Sequence, residues 1–240
     1  MTITRLLPGP ITEFDLGQPQ PGTLAELYAL PQRQWLRLNL IASVNGNAAG
    51  QSGTSDGLSS RTDRRILGAI RRLADVVLVG ARSVRTEGYF LPKTAPLAIV
   101  TGSGDLNGHR IPADVAEGRV IILCPPHAED SVRSSLHGVP ITVVQLPGPR
   151  LVPVEIVRAL RTLGLDSIVC EGGPSLAAQL VDADLVDELC LSTSPLINNT
   201  KLRVLPDLSD TTPLRLSQLL VDSESALYAR WTVQKRHPAS

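Results

Sequence analysis

The sequence predicts a single α/β domain whose central, mostly parallel sheet is covered by helices on both faces. Short apolar runs that are typical of buried strands alternate with longer segments of helical apolar spacing. This alternation favours parallel pairing, because each crossover helix returns the chain to the same edge of the sheet. The chain has 240 residues, enough to bury one sizeable core, and it shows no internal repeat.

Charge and composition exclude several classes of function. Lys and Arg together number 23, as do Asp and Glu, so no net charge favours nucleic acid or an anionic membrane surface. Aromatic residues make up 3% of the chain, too few for a surface that stacks bases. No apolar run approaches the roughly 20 residues that span a bilayer, and residues 1–30 lack the apolar core of a signal peptide. We therefore expect a cytoplasmic protein without membrane or nucleic-acid partners.

The cysteines and histidines predict neither a disulfide framework nor a metal site. Cys124, Cys170 and Cys190 each follow an apolar run, as expected of buried, reduced thiols. The four histidines are scattered through loop-like or terminal segments without ligand spacing. The paired H-x-E and P-C-x-x-C motifs of zinc deaminases are absent, which excludes that module from this chain.

The chain begins with a segment of weak structural signals. Residues 1–34 are rich in Pro, Gly and Gln, have one short helical pattern at 24–30, and predict an arm on the surface because they lack a core-forming period. The folded domain would then span residues 35–240. Residues 35–43, WLRLNLIAS, predict a strand that enters the middle of a sheet and ends in VNGNAAG.

A helix and a second buried strand follow. Residues 61–73 carry apolar side chains on one helical face, with Ser59 or Ser60 as the N-cap and several arginines on the opposite, solvated face. Residues 75–80, DVVLVG, predict a strand that continues into the strand-to-helix turn ARSVRTEGY.

The remaining chain continues the alternation of strands and helices. Strands are predicted at 97–100, 120–123, 141–144, 185–192 and 227–233, and helices at 131–136 and 154–163. Gly102, Gly104 and Gly108 imitate a dinucleotide-binding fingerprint. We reject this motif because its spacing is wrong and no amphipathic helix follows.

The segment DSIVCEGGPSLAAQL, residues 166–180, is the strongest candidate for a ligand-binding turn. An apolar strand meets Glu171, two glycines and Pro174, and a helix begins at the proline. Gly172 and Gly173 let a ligand approach bare backbone, and the free N–H groups of the first helical turn suit a phosphate. Considered alone, the segment is more typical of a tight connection that binds nothing, and the rest of the chain supports the ligand-binding turn.

Four predicted turns fall where parallel sheets gather their ligands. The loop at Asn45 and the turns at Gly80, Thr101 and Glu171 each follow the carboxyl end of a predicted strand. Ligands bind beyond the carboxyl ends of strands in open α/β sheets. One cleft at this edge would therefore collect all four turns.

The ordered motifs SVNG, LSSRTDRRILGAIRRLADVVLVGARSV, IVTGSG and VCEGGPSLAAQLV, followed by LVDEL, closely resemble the bacterial pyrimidine reductase family of riboflavin biosynthesis. The match covers roughly residues 35–195 and is most similar to stand-alone actinobacterial relatives of the reductase half of the bifunctional deaminase-reductase. It implies a dihydrofolate-reductase-like fold, a reductase domain at 35–240, NADPH as cofactor and a homodimer. The implied reaction reduces 5-amino-6-(5-phosphoribosylamino)uracil, a phosphoribosyl pyrimidine, to the ribityl compound.

The resemblance also implies roles for single residues. Glu171 and Glu87 would face the substrate, Glu87 where the family usually has Asp, and Ser59 with Arg64 or Arg65 would bind the substrate at its ribose phosphate. The implied cofactor residues are Gly172, Gly173, Pro174, Ser175 and Leu176 at the pyrophosphate, Gly80, Ser83 and Val84 in the second turn, Thr101 and Ser103 at the 2′-phosphate, and Ser43 and Ala48 beside the nicotinamide.

Two departures from the family pattern bear on the chemistry. The family's SLDG has an aspartate where this chain has Asn45, and an amide cannot move a proton as a carboxylic acid can. The family's arginine a few residues after the second turn is also missing, and the nearby Lys93 is a point charge that cannot fork onto a phosphate. Asn45 would then be a positioning residue or a plain turn residue. Glu171 would bind the amino edge of the pyrimidine or make a structural hydrogen bond.

Three functions stay open at this level. The chain would reduce the riboflavin precursor, reduce a dihydropteridine such as dihydrofolate with NADPH, or bind the cofactor without turnover. A phosphate-binding arginine separates the first two, since only the riboflavin precursor requires one. Homodimer formation has a second ground in apolar strands such as residues 185–191, which carry few charges to protect a sheet edge.

Overall fold

The computed structural model describes residues 2–16, 23–88 and 91–235. Residues 17–22 of the predicted arm, Tyr89 at the end of the second predicted turn, and His237 lie outside the described residues. No helix within the described ranges is both long enough and apolar enough to cross a membrane.

The described residues form six α-helices and a single sheet of eleven strands. The helices are α1 (Thr23–Leu27), α2 (Arg61–Arg72), α3 (Ala81–Glu87), α4 (Glu129–Ser135), α5 (Pro153–Thr162) and α6 (Pro174–Asp182). The strands are β1 (Thr2–Leu7), β2 (Thr12–Asp15), β3 (Trp35–Ser43), β4 (Val76–Gly80), β5 (Leu97–Val100), β6 (Val120–Cys124), β7 (Thr142–Gln145), β8 (Ser167–Cys170), β9 (Glu188–Ser194), β10 (Leu214–Asp222) and β11 (Leu227–Val233).

The sheet has a parallel half and an antiparallel half. Its order is β2-β1-β10-β11-β9-β3-β8-β4-β5-β6-β7. The pairs from β9 to β7 are parallel, and those from β2 to β9 are antiparallel. The parallel pairs coincide with the βαβ alternation of the sequence, so the prediction of a mostly parallel sheet is confirmed.

Helices cover both faces of the sheet, as predicted. Alternate residues of β8 enter opposite cores: Ile168 packs with α5 and α6, whereas Val169 packs with α1 and α2. A third cluster joins α3 and α4 to the outer parallel strands. Burying one large aliphatic side chain contributes roughly 1.5–3 kcal/mol, so these faces dominate the stability of the fold.

The prediction that residues 1–34 form a surface arm is wrong for the residues that the structure describes. β1 pairs with β10, where Ile3 lies opposite Asp222 and is fully buried. Leu16 and Tyr28 are also buried, in the core beside α1 and α2. Local periodicity could not predict this arrangement, because β1 and β2 are short and their partner β10 lies near the other end of the chain.

The strand that was expected to expose a sheet edge is an interior strand. β9 is hydrogen-bonded to β3 on one side and to β11 on the other. The edge strands of the described sheet are β2 and β7 instead. The edge argument for a homodimer therefore does not apply to residues 185–191.

Candidate active site

The four predicted turns lie together at one edge of the sheet. β3, β8, β4 and β5 are consecutive parallel neighbours, and they end at Ser43, Cys170, Gly80 and Val100. The loops that follow these strands therefore emerge side by side at their carboxyl ends. A cleft of about 640 Å³ lies over three of these turns, those after β8, β4 and β5.

Most of the implied cofactor residues line this cleft. They are Gly80, Ser83, Thr101, Ser103, Gly173, Pro174, Ser175 and Leu176. Glu87 lines it as well. Four implied cofactor residues are not part of this lining: Ser43 is buried in the carboxyl end of β3, Ala48 lies in the loop that follows β3, Val84 is buried on α3, and Gly172 has the side chain of Leu40 next to it.

The turn before α6 presents bare backbone to the cleft. Gly172 has φ +100°, a left-handed conformation that favours glycine. Gly173 is the N-cap of α6 and Pro174 its first residue, so no side chain caps the first turn. A β-carbon on Gly173 would lie 3.1 Å from Oγ of Ser83, a tight contact that a side chain could make only if Ser83 shifted. The first turn of α6 is thus open to an anionic group at the positive end of the helix dipole.

Val84 cannot contact a ligand through its side chain. It is fully buried and packs in the cluster between α3 and the outer parallel strands. Ser83, the preceding residue on the same short helix, points in a different direction and lines the cleft. The second turn therefore offers a hydroxyl, while its valine stabilises the fold.

Glu87 is hydrogen-bonded to the glycine-rich loop that follows β3. Its two carboxylate oxygens accept hydrogen bonds from the backbone N–H of Ser55 at 3.2 and 3.1 Å, and Oγ of Ser55 donates at 3.0 Å. Gly53 of the same loop lines the cleft. Glu87 thus lies at the cleft, with its carboxylate bound to this loop.

Glu171 forms a bidentate ion pair with Arg71. Nε and Nη2 of Arg71 donate to the two carboxylate oxygens at 2.7 and 2.6 Å. The side chain of Glu171 is only 6% exposed and that of Arg71 19%. Burial raises the pKa of Glu171, and the hydrogen bonds and charge of Arg71 oppose that shift. Sequence reasoning missed Arg71, because an arginine on the polar face of α2 is indistinguishable from a solvated one.

The other predicted substrate residues have partners on three different segments. Arg64 donates to Asp56 at 2.7 Å in an exposed pair, while Arg65 donates to the backbone carbonyl of Leu16. Ser59 donates to Asp63 at 2.6 Å, and burial raises the pKa of that aspartate. Of the two arginines, Arg64 is the one whose partner is an exposed side chain.

Several cleft residues were absent from the sequence prediction. Arg82 precedes Ser83 on α3, and Arg150 and Leu151 follow β7. Among the described residues, neither Arg82 nor Arg150 forms an ion pair. Arg85 also lines the cleft and lies 3.9 Å from the carboxylate of Asp105. The position of residues 150–151 after a parallel strand was the available signal, and it follows the rule that located the other turns.

Asn45 and Lys93 lie outside the lining of the cleft. Asn45 is exposed, and its amide pairs with the backbone of Asn198 at 2.7 and 3.3 Å. Lys93 is exposed in the segment before β5. Among the residues that the structure describes, no group of His, Cys, Asp and Glu side chains is placed to hold a metal ion.

Comparison with known proteins places the chain in a family. The RibD C-terminal domain model matches residues 34–225. The riboflavin biosynthesis protein RibD of Mycobacterium tuberculosis is 31% identical over 196 residues, which cover 75% of this chain and 51% of the relative. A protein of Methanothermobacter thermautotrophicus named 2,5-diamino-6-ribosylamino-4(3H)-pyrimidinone 5′-phosphate reductase is 25% identical over 69% of this chain and 79% of its own length. This chain therefore spans about half of the mycobacterial relative.

Solved structures share the same fold. A pyrimidine reductase-like protein from Corynebacterium diphtheriae superimposes with a TM-score of 0.74 at 24% identity, covering 89% of this chain and all of that one. The riboflavin biosynthesis reductase Rib7 of Saccharomyces cerevisiae gives 0.65 at 12% identity over 91% of this chain and 94% of that one. With the family match over most of its length, the chain belongs to the RibD C-terminal domain family.

Proposed function

We propose that this chain is an NADPH-dependent reductase that converts 5-amino-6-(5-phosphoribosylamino)uracil to its ribitylamino product. The observation that carries the proposal is the cleft at the carboxyl ends of β8, β4 and β5, whose floor is the backbone of two glycine turns. The names of the mycobacterial and archaeal relatives support riboflavin biosynthesis as the pathway and a phosphorylated pyrimidine as the substrate.

The residues of the cleft fit a phosphorylated dinucleotide. Gly173 and the first turn of α6 would hold the pyrophosphate, because no side chain caps this helix and Gly173 exposes its backbone to the cleft. Thr101, Ser103, Arg82 and Arg150 line the same cleft and combine hydroxyl donors with two guanidinium groups that lack ion pairs within the described residues. Arginine recognises phosphate well, so this set favours NADPH over NADH.

The chain's own residues would bind and orient the substrate. The cofactor supplies a hydride when it is bound. Glu171 has accepting lone pairs beyond those that Arg71 uses, and its carboxylate would take the amino edge of the pyrimidine. The hydrogen bonds and charge of Arg71 favour the ionised form of that carboxylate, against the rise in pKa that burial causes. Ser59 and Arg64 lie at the start of α2 and would meet the ribose phosphate.

A single spectrophotometric assay tests this function. Purified chain is mixed with NADPH, and absorbance is followed after adding the aminouracil phosphate, dihydrofolate or buffer. Oxidation that requires the aminouracil phosphate supports the proposal. Oxidation with dihydrofolate instead would identify a pterin reductase, and NADPH binding without turnover would identify a cofactor-binding protein. The Gly173→Val variant, whose cofactor turn is blocked, serves as the matched control for contaminating reductases.

The assembly is proposed to be a homodimer. This rests on resemblance to the family, because the sheet edge that was expected to support it is paired inside the chain. Cytoplasmic location and the absence of nucleic-acid partners stay predictions of the sequence.

A further inference from the structure

Two loops beside the cleft are hydrogen-bonded into one unit. The loop at 44–49 follows β3, and the loop at 196–204 follows β9, which is the neighbour of β3 in the sheet. The backbone N–H of Ala48 donates to Leu202 at 2.7 Å, and that of Val204 donates to Gly46 at 3.2 Å. Leu202 lines the cleft. The second loop thus supplies a wall of the cleft, and the first loop holds it in place.

The side chain of Asn45 joins these loops through both of its polar atoms. Nδ2 donates to the backbone carbonyl of Asn198 at 2.7 Å. Oδ1 accepts from the backbone N–H of Asn198 at 3.3 Å and from Oγ of Ser43 at 2.8 Å. The amide therefore binds both backbone groups of one residue on the opposite loop. Asn47 adds a second amide, whose Nδ2 donates to the same carbonyl at 3.2 Å.

An aspartate at this position could not make the same contacts. A carboxylate has no N–H, so its second oxygen would face the carbonyl oxygen of Asn198 and repel it. The contacts thus distinguish an amide from a carboxylate of the same shape.

We propose that Asn45 is a positioning residue that holds the loop at 196–204, and with it Leu202, as a wall of the cleft, and that this role requires an amide. The consequence for turnover rests on the proposed function, whereas the consequence for the loop does not. Asn45 then takes no part in proton transfer, the role that an aspartate at this position would suggest. The loop at 44–49 then contributes to catalysis by holding the wall of the cleft and not by supplying an acid.

Hydrogen exchange tests the structural part without any substrate. In Asn45→Asp, the amides of Ala48 and Val204 should exchange about 10-fold faster, because the two loops separate more often once the Asn198 contact is lost. Val44→Asp is the matched control, since Val44 is 60% exposed and the variant adds the same charge one residue away. Asn45→Ala removes the contacts without adding charge and should match Asn45→Asp. Unchanged exchange in both Asn45 variants would overturn the proposal.

Kinetics test the consequence for catalysis. In Asn45→Asp, kcat should fall about 10-fold while the Kd for NADPH changes less than about 3-fold, because the glycine turns that would hold the pyrophosphate are fixed separately. A higher kcat together with a new ionisation in its pH profile would show that a carboxylate works there as an acid, and would overturn the proposal. A wild-type chain without turnover would refute the proposed function and leave the exchange result standing.

Discussion

The backbone N–H of Gly80 donates to the carbonyl oxygen of Gly172 at 2.8 Å. This bond joins the turn after β4 to the turn after β8 and fixes the two halves of the cleft floor to each other. A β-carbon on Gly80 would lie 3.6 Å from the backbone nitrogen of Gly173, so the turns approach each other closely at their glycines. The floor of the cleft is therefore closely packed backbone without side chains at its glycines, which lets a ligand approach the main chain.

Gly173→Val should weaken NADPH binding at least ~10-fold, equivalent to ~1.4 kcal/mol. The new side chain would meet Ser83 and occupy the space proposed for the pyrophosphate. Fluorescence titration with NADPH measures the effect. Gly9→Val is the control, because a β-carbon there meets nothing within 4 Å and the residue lies outside the cleft. Equal affinities of Gly173→Val and wild type would place the cofactor elsewhere.

The double variant Arg82→Gln, Arg150→Gln should lose preference for NADPH over NADH. Both guanidinium groups line the cleft without ion pairs in the described structure, so they are available to a 2′-phosphate. We expect the Kd ratio of the two cofactors to fall about 10-fold or more, mainly through weaker NADPH binding. Arg158→Gln is the control, since Arg158 pairs with Glu155 on the solvent-exposed face of α5 and lies outside the cleft lining. A retained ratio would assign the discrimination to other residues.

Arg71→Met should destabilise the chain in a pH-dependent way. Burial raises the folded-state pKa of Glu171 above its ordinary value of 4.5, so between the unfolded-state and folded-state pKa values the folded state holds a proton that the unfolded chain has released. Stability contributed by that protonation is present at low pH and is lost as the pH rises through the folded-state pKa. Without Arg71 this pKa rises further. We expect a loss of about 3 kcal/mol at pH 8 and a smaller loss at pH 5, measured by urea unfolding.

Two controls accompany the Arg71 variant. Arg72→Met removes the neighbouring arginine, which is exposed, and should change stability little at either pH. Adding Glu171→Gln to Arg71→Met removes the ionisation, so the difference between pH 5 and pH 8 should disappear. Equal losses at both pH values in Arg71→Met would contradict a buried carboxylate that depends on Arg71.

Light scattering should report twice the chain mass of 25.6 kDa at micromolar concentration. Closed twofold symmetry is the commonest assembly of homo-oligomers. Because β9 is paired on both sides, the contact would have to use another surface. A particle with the mass of one chain would refute the dimer.

Local patterns predicted strands in both halves of the sheet. β3, β5 and β11 occupy the predicted residues, and Ser60 caps α2 as one of the two candidates. These elements are specified by neighbouring residues, through apolar runs, spacing and caps. β10 was missed, although Leu220 at its centre is fully buried. Its partners β1 and β11 are recognised only when the whole sheet is assembled.

The site was predicted where backbone chemistry defines it and missed where distant side chains meet. The glycines at 172 and 173 indicate a turn from the local sequence alone. By contrast, Arg71 and Glu171 are far apart in the chain, and only the packing of α2 on β8 brings them into contact. Val84 shows the opposite error, because a helix face next to a binding turn can equally face the core.

The pairing of β1 with β10 sets an order for assembly. Nearly the whole chain separates Ile3 from Asp222, its partner, so β1 pairs with β2 early but joins the rest of the sheet only after β10 has been synthesised. Contacts between such distant segments slow folding, because the entropy of closing the loop is lost before the contact forms. The glycine turns of the cleft require only strands up to β8 and helix α6, which leave the ribosome earlier, whereas Leu202 in the cleft wall follows β9. The turns are therefore available before the antiparallel half of the sheet, and the wall is added with β9, the last strand of the parallel half to be synthesised.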